Sequence, residues 1–224
     1  MLFKILKYRL VKFIENIPIL QIFIYDNLSK FKFLFPHDKD YLALNLLFNY
    51  NEKRDFLDVG GNIGLSSIGF RELGFKNNTI HIFEPDKILL KNSLNKVKKH
   101  YKKIKIYNFG LYSKNCKKKI YKAFYKNYYF HFNNSFDLKY IKNKIQSNYP
   151  KIYNKFNYTS SNLRLKKFDN LNLDTNVCFI KIDVEGLDYD VLIGMKNLIH
   201  KDKPIILIEY NYSNFNKIYN LIKK

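Results

Sequence analysis

The chain contains the stretch Phe56-Leu57-Asp58-Val59-Gly60-Gly61-Asn62-Ile63-Gly64-Leu65-Ser66, in which an apolar run leads into a glycine turn and then into a helical segment. Glycines in such a turn allow the backbone to pass close to a ligand. The N–H groups that open the following helix carry the positive end of its dipole. This strand–turn–helix pattern predicts a binding site that favours a carboxylate or a phosphate.

Two common nucleotide-binding motifs do not match this stretch. The dinucleotide fingerprint Gly-x-Gly-x-x-Gly, counted from Gly60, requires glycine at two positions where the chain has Asn62 and Leu65. The P-loop pattern that ends in Gly-Lys-Ser/Thr is also absent. S-adenosylmethionine is the remaining common ligand of the pattern Asp-x-Gly-x-x-x-Gly. The candidate cofactor-binding residues here are Asp58, Gly60, Gly61, Asn62 and Gly64.

The composition predicts one domain with a proper core and a basic surface. The chain has 224 residues, of which 46% are hydrophobic, and a formal net charge of +21. Such a charge favours nucleic acid or anionic membrane as a partner. However, Lys, Asn, Ile, Tyr and Phe are abundant along the whole sequence, which is what an AT-rich coding bias produces. We therefore read most of the charge as compositional.

The N-terminal residues 1–50 are predicted to form a helical flank ahead of the main domain at 51–224. Their first segment is basic and amphipathic, and it lacks a signal-peptide cleavage site. The apolar run 17–25 contains Pro18 and is too short to span a bilayer. We expect peripheral membrane contact only as the minor alternative. Cys116 and Cys178 have no metal or disulfide spacing, which suits a reducing cytoplasm, and Cys178 is expected to be a buried free thiol.

The pattern after residue 54 alternates between short apolar strands and amphipathic helices. Strands are predicted at 55–59, 79–84, 104–109, 177–183 and 204–209, and helices at 64–73, 86–99 and around 187–199. This alternation predicts an α/β fold with a mostly parallel sheet and helices on both faces. The interval 111–162 is less regular, with strands expected within 118–132 and a short helix around Ile141 and Ile145.

Two further residues follow strands at the edge where such sheets bind ligands. Glu84 ends the second strand, where its carboxylate could accept hydrogen bonds from a ribose diol. It could instead cap the next helix, although Asp86 suits that role better. Asn108 ends the third strand and is placed near a base by position alone. Asp58 could contact the ligand's amino group or hold the turn.

Three acids are predicted to converge on the same edge of the sheet. Asp183 and Glu185 follow the fourth strand, and Glu209 ends the fifth. Together they could bind sugar hydroxyls, deprotonate a hydroxyl or hold a divalent cation. Alternatively, one carboxylate caps the helix that starts near 187 and another pairs with Lys181. We assign no metal site. His81 is expected in the core, and His131 is the one histidine considered for catalysis.

Four blocks of sequence resemble the FkbM family of S-adenosylmethionine-dependent methyltransferases. They lie at 58–64, 83–85, 180–186 and 203–209, and they match the family in order and spacing. The resemblance covers roughly residues 55–211 and is loose through 111–162. It implies a Rossmann-like class I methyltransferase that methylates hydroxyls, often on sugars of surface glycans or on natural products. The family usually has alanine where Gly61 stands.

The C-terminal end departs further from the family pattern. The resemblance implies that the sheet continues beyond its fifth strand with a helix and a closing β-hairpin. We expect this hairpin to be missing here, so that the chain is either a shortened product or has its sheet edge covered by other means, such as another subunit. We expect residues 204–210 to form a sheet edge that could self-associate, followed by a helix around Phe215 and Ile218.

A competing hypothesis is a nucleic-acid-associated protein or an RNA methyltransferase. It would use the lysines and aromatic rings of 117–132 as a stacking and phosphate-binding surface. We favour it less, because the lysines are spread along the whole chain.

Overall fold

The structure, a computed structural model, describes residues 39–49, 51–126, 128–209 and 212–223 of the chain. Two compact units divide the chain. The larger contains the described residues up to Lys118 and those from Leu163 onward, and the smaller contains the described residues of 119–162. The interval that the sequence marks as irregular thus largely forms a unit of its own. Most of the predicted N-terminal flank, residues 1–38, lies outside the described residues.

Nine strands are present in the described part of the chain. They are β1 (Asp55–Val59), β2 (Ile80–Phe83), β3 (Ile104–Tyr107), β4 (Gly110–Leu111), β5 (Cys116–Tyr125), β6 (Tyr128–Tyr129), β7 (Phe156–Lys166), β8 (Val177–Ile182) and β9 (Ile205–Ile208).

The described α-helices are α1 (Leu44–Leu47), α2 (Leu65–Glu72), α3 (Lys87–Leu89), α4 (Asn95–His100), α5 (Leu138–Asn148), α6 (Asp188–Gly194), α7 (Lys196–Asp202) and α8 (Tyr212–Ile222). A 3₁₀ turn at Lys39–Ala43 precedes α1, and a π-helical turn at Leu90–Leu94 joins α3 to α4.

The larger unit is built on a parallel sheet with the strand order β3-β2-β1-β8-β9. All four neighbouring pairs are parallel, and their registers align the carboxyl ends of the strands. Val59 lies opposite both Phe83 and Ile182, and Ile182 lies opposite Ile208. The residues that follow these strands therefore meet at one edge of the sheet.

Alternate residues of the strands face two different cores. Phe56 and Ile82 pack with the helical residues Ile68 and Leu94 on one face. On the other face, Leu57, Phe83 and Ile180 pack with Val191 and Leu192 of α6, Leu198 of α7 and Ile218 of α8. Burial on both faces explains why the strands read as nearly continuous apolar runs. The predicted α/β sheet, covered by helices on both faces, is confirmed.

The described part of the N-terminal flank is only half buried. Tyr41 and Leu44 pack into the core, whereas Leu42, Leu46 and Leu47 are exposed. Within the described residues, no helix is long and apolar enough to cross a membrane.

Two predicted helices are interrupted. The helix expected at 86–99 contains the π-helical turn between α3 and α4. The helical stretch expected at 187–199 is divided into α6 and α7 at Met195, which has a φ of −123°. A Cβ on Gly194 would lie 2.0 Å from the backbone oxygen of Tyr112. The chain at Gly194 therefore lies close to the backbone of Tyr112 just before the interruption. The helical periodicity of the sequence does not indicate this contact.

The smaller unit has its own core. Phe124 and Tyr125 of β5 pair antiparallel with Tyr129 and Tyr128 of β6. The side chain of Asp137 caps α5 by accepting from the N–H groups of Lys139 and Tyr140. Helix α5 buries Ile141 and Ile145 beside Phe130 and Phe156. The predicted short helix around Ile141 and Ile145 is confirmed.

Candidate active site

The candidate site lies where the strand order of the parallel sheet reverses. From β1 the chain first adds β2 and β3 on one side, and later adds β8 and β9 on the other. Open α/β sheets bind ligands outside the carboxyl ends of their strands at such a switch point. The loops that follow β1, β2 and β8 all reach this place.

The glycine turn after β1 is tightly wound. Gly60, Asn62 and Gly64 have φ angles of +80°, +46° and +89°, a conformation that costs a side-chain-bearing residue free energy. The N–H groups of Gly60 and Gly61 both donate to the carbonyl oxygen of Phe83, at 3.0 and 3.3 Å. The turn is therefore attached to the end of β2.

Gly61, where the family that the sequence resembles usually has alanine, lies in close contact with β2. A Cβ at this position would lie 2.2 Å from Cγ2 of Ile82. The methyl group of Ile82 thus occupies the space that an alanine side chain would need.

Asp58 points into the protein. It is fully buried, and one oxygen accepts a 2.6 Å hydrogen bond from the hydroxyl of Ser67. The other oxygen lies 3.7 Å from Nζ of Lys181. These contacts link the end of β1 to α2 and to β8.

Glu84 joins the loops after β1 and β2. Its Oε2 accepts from the backbone N–H of Asn62 at 2.9 Å, and its Oε1 accepts from that of Asp86 at 2.8 Å. Asp86 itself caps α3 by accepting from the N–H of Ile88, as expected. The amide of Asn108 donates to the carbonyl oxygens of Glu84 and Pro85. In this structure Asn108 therefore supports the backbone that carries Glu84.

Burial dominates the protonation behaviour of Glu84. It raises the pKa of this carboxyl group to about 7, against the two backbone hydrogen bonds, which lower it. The nearby Asp86 raises the pKa further, and the Lys181 ammonium lowers it. Glu84 thus changes charge near neutral pH, which is uncommon for a carboxyl group and typical of functional sites.

The three acids predicted at the edge of the sheet follow β8 and β9. Asp183 and Glu209 come directly after the paired residues Ile182 and Ile208, and the N–H of Glu209 donates to the carbonyl of Ile182 at 3.2 Å. Glu185 sits in a left-handed turn with a φ of +55°. All three residues are exposed. In the described residues, no group of three or more His, Cys, Asp or Glu side chains could hold a metal ion.

Two buried charged residues at this edge were missing from the predicted site. Lys181 lies between Asp58 and Asp183, so the alternative in which a carboxylate pairs with Lys181 is realised by Asp183. Asp188 is buried and accepts from the N–H of Val184 at 3.4 Å. Burial raises its pKa. The acid-rich sequence from Asp183 to Asp190 was the available signal for Asp188.

The aromatic residues of 117–132 contribute mainly to structure. Tyr125 and Phe130 lie in the core of the smaller unit, whereas Tyr128 is half exposed. His131 is buried there as well. In the larger unit, His81 is buried within hydrogen-bonding distance of Tyr107 and Asp55, in agreement with its predicted place in the core.

Comparison with known proteins gives one family and one similar structure. The model of the methyltransferase FkbM domain matches residues 58–224. The crystal structure of a methyltransferase FkbM from Methylobacillus flagellatus KT is similar, with a TM-score of 0.51 and 19% sequence identity over 76% of this chain. The matched region spans 36% of that protein. No curated protein matches. The extent of the family match shows that the chain belongs to the FkbM methyltransferase family.

Proposed function

We propose that this chain is an S-adenosylmethionine-dependent O-methyltransferase that methylates a hydroxyl on a sugar of a surface glycan. The observation that carries the proposal is the 2.9 Å hydrogen bond between Glu84 and the N–H of Asn62. It places a carboxylate at the end of the second strand directly against the glycine turn of the first. A ribose diol bound at this edge would donate to that carboxylate.

The residues at the edge of the sheet fit this cofactor. Each oxygen of Glu84 accepts one backbone N–H, and each keeps a further lone pair for a hydroxyl donor. Gly64 caps α2 without a side-chain hydrogen bond, so no capping side chain blocks the start of that helix. When bound, S-adenosylmethionine would supply an electrophilic methyl group.

The chain's own residues would orient the reactants and take up one proton. The turn at Gly60 and Glu84 would hold the cofactor. Glu209 would bind a sugar hydroxyl, and Asp183 or Glu185 would accept the proton of the hydroxyl that is methylated. Orientation can lower a barrier by about 7–11 kcal/mol, and a general base typically adds about 10²–10⁴-fold.

The cofactor site is tested by calorimetry with S-adenosylhomocysteine on Glu84→Ala and Asp183→Ala. Glu84→Ala loses the hydrogen bonds to the ribose, each worth about 1.5–3 kcal/mol when the acceptor is charged. Its affinity should therefore fall by at least about tenfold, while Asp183→Ala should stay within a few-fold of wild type. Unchanged binding in Glu84→Ala would contradict the proposed site.

The acceptor is tested by incubation with methyl-labelled S-adenosylmethionine and fractionated glycans, lipids and RNA. We expect label in the glycan fraction, with a reduced yield from Asp183→Ala. Label confined to RNA would favour the competing hypothesis, in which case binding should weaken steeply with salt. Activity that survives EDTA would exclude a required divalent metal.

A further inference from the structure

Lys181 is a buried lysine with partners on β1 and in the turns that follow β1 and β8. It lies within β8, and its side chain is 8% exposed. Its ammonium group donates to the carbonyl oxygen of Gly60 at 3.2 Å and lies 3.2 Å from Oδ2 of Asp183. Asp58, on β1, is 3.7 Å away. The Lys181 side chain thus contacts three parts of the site. They are the glycine turn after β1, here called the cofactor turn, strand β1 itself and the proposed base Asp183.

The charge of this lysine is compensated by the groups that face it. Burial opposes the ammonium form, but Asp58, Asp183 and, more weakly, the hydroxyl of Tyr41 favour it. The net effect raises the pKa of Lys181, so the side chain stays charged throughout the physiological range. A buried charge with matched partners is costly to disturb, because removing one partner leaves another uncompensated.

The backbone segments that follow β1 and β8 are also in close contact with each other. The N–H of Asp183 donates to the carbonyl of Val59 at 3.1 Å. A Cβ on Gly60 would lie only 1.9 Å from the backbone oxygen of Asp183. Small movements of either loop would therefore disturb the other, and Lys181 contacts a residue of each.

We propose that Lys181 is a positioning residue that holds the carboxylate of Asp183 in register with the cofactor turn at Gly60. This inference rests on the proposed function. Lys181 acts through Asp183 and Gly60 and touches no reacting atom. Its position on β8 lets it set the distance between Gly60, at the proposed cofactor site, and Asp183, at the proposed acceptor site. A small misplacement of reacting groups lowers the rate of catalysis strongly.

The positive charge of Lys181 also acts on Glu84, which gives a pH-dependent readout in addition to kcat. Glu84 is faced by Asp86 from the start of α3, by the backbone N–H of Asn62 and by the Lys181 ammonium. Because that ammonium lowers the pKa of Glu84, its removal raises this pKa further above 7. The ribose hydroxyls are best accepted by the ionised carboxylate. The pH at which S-adenosylhomocysteine affinity reaches half its maximum should therefore rise.

The test compares wild type with Lys181→Met, Lys181→Arg and the control Lys122→Met, which removes another buried lysine, from the smaller unit. Calorimetry with S-adenosylhomocysteine from pH 6 to 9 gives the midpoint. Transfer of the labelled methyl group from S-adenosylmethionine into the glycan fraction gives kcat and KM. In Lys181→Met we expect a higher midpoint and a loss of about 10²-fold in kcat, within the range of a misplaced base. Lys122→Met should keep the wild-type midpoint.

Lys181→Arg separates charge from geometry. It keeps the positive charge, so the midpoint should return toward wild type. The longer, planar guanidinium presents its N–H groups in a different geometry from the ammonium that makes both 3.2 Å contacts, so kcat should stay low. If Lys181→Met does not fold by circular dichroism, Lys181→Arg alone decides, and wild-type kcat in that variant would overturn the proposal.

Failure of this inference differs from failure of the proposed function. A wild-type chain that binds no S-adenosylhomocysteine at any pH contradicts the proposed function. Wild-type S-adenosylhomocysteine binding together with wild-type kcat in folded Lys181→Met overturns only the role of Lys181.

Discussion

Glu84 is a buried carboxyl group whose two oxygens are both occupied by backbone N–H groups. Hydrogen bonds of this kind stabilise the charged form, yet burial outweighs them and the pKa of Glu84 is about 7. The protein therefore carries a free-energy cost at this position whenever the group is ionised. Such a cost is common at binding sites, where local stability is lost in favour of function.

This cost should appear in the pH dependence of unfolding. The folded pKa of Glu84, about 7, lies above the ordinary value of 4.5. Between these values the native state binds more protons than the unfolded state, so the free energy of unfolding falls as pH rises. We expect Glu84 to contribute a loss of about 3 kcal/mol between pH 4.5 and 8. Urea unfolding across this range should show a weaker loss in Glu84→Gln.

The control for this experiment is Asp174→Asn, which changes an exposed carboxylate outside the candidate site. It should keep the pH dependence of wild type. An identical pH dependence in wild type and Glu84→Gln would contradict the assignment of a raised pKa to Glu84.

At the scale of elements, strand β9 and the helix α8 that follows it belong to the same hydrophobic core. Strand β9 pairs with β8 on one side and forms the edge of the parallel sheet in the described residues, as predicted. Helix α8 packs Ile218 and the partly buried Leu221 into the same core as β8 and α6. Its other face exposes Phe215, Tyr219 and Ile222. Helix α8 therefore covers the core beside β9 with one apolar stripe only.

This division of α8 predicts unequal effects of two similar substitutions. Ile218 is 7% exposed and Ile222 is 52% exposed. Ile218→Ala should lower the free energy of unfolding by about 2–4 kcal/mol, because it leaves a cavity in the core. Ile222→Ala should change it by no more than about 0.5 kcal/mol. Chemical denaturation of both variants measures the difference, and equal effects would mean that α8 does not pack as described.

At the scale of the whole molecule, a strand edge that has no partner strand among the described residues coexists with a large positive charge. The exposed edge of β9 offers backbone N–H and C=O groups to another chain. The net charge of +21 repels a second copy, and salt screens that repulsion. Antiparallel pairing of two copies about Ile206 would place Lys203 of one copy opposite Glu209 of the other, which favours this geometry.

We propose from these features that the chain self-associates through β9 and does so more strongly at higher salt. Sedimentation velocity at 50 and 300 mM NaCl should show a larger dimer fraction in the second buffer. Ile205→Lys adds a charge to the exposed edge and should abolish the dimer. Leu46→Lys, at a residue that is 89% exposed on α1, is the matched control and should leave it intact. A dimer that persists in Ile205→Lys would place the interface elsewhere.

The sequence by itself determined the parallel sheet, the strands that end in acids and the glycine turn. Strands buried on both faces must be apolar, and a tight turn must contain residues that tolerate positive φ, so both leave a local record. The tertiary structure alone decided that Asp58 faces Ser67 and Lys181, and that Lys181 reaches Gly60 and Asp183. Those contacts depend on the register of β1 against β8, and these strands are separated by more than a hundred residues. No local pattern of side chains encodes such a register, because it is set by packing across the whole sheet.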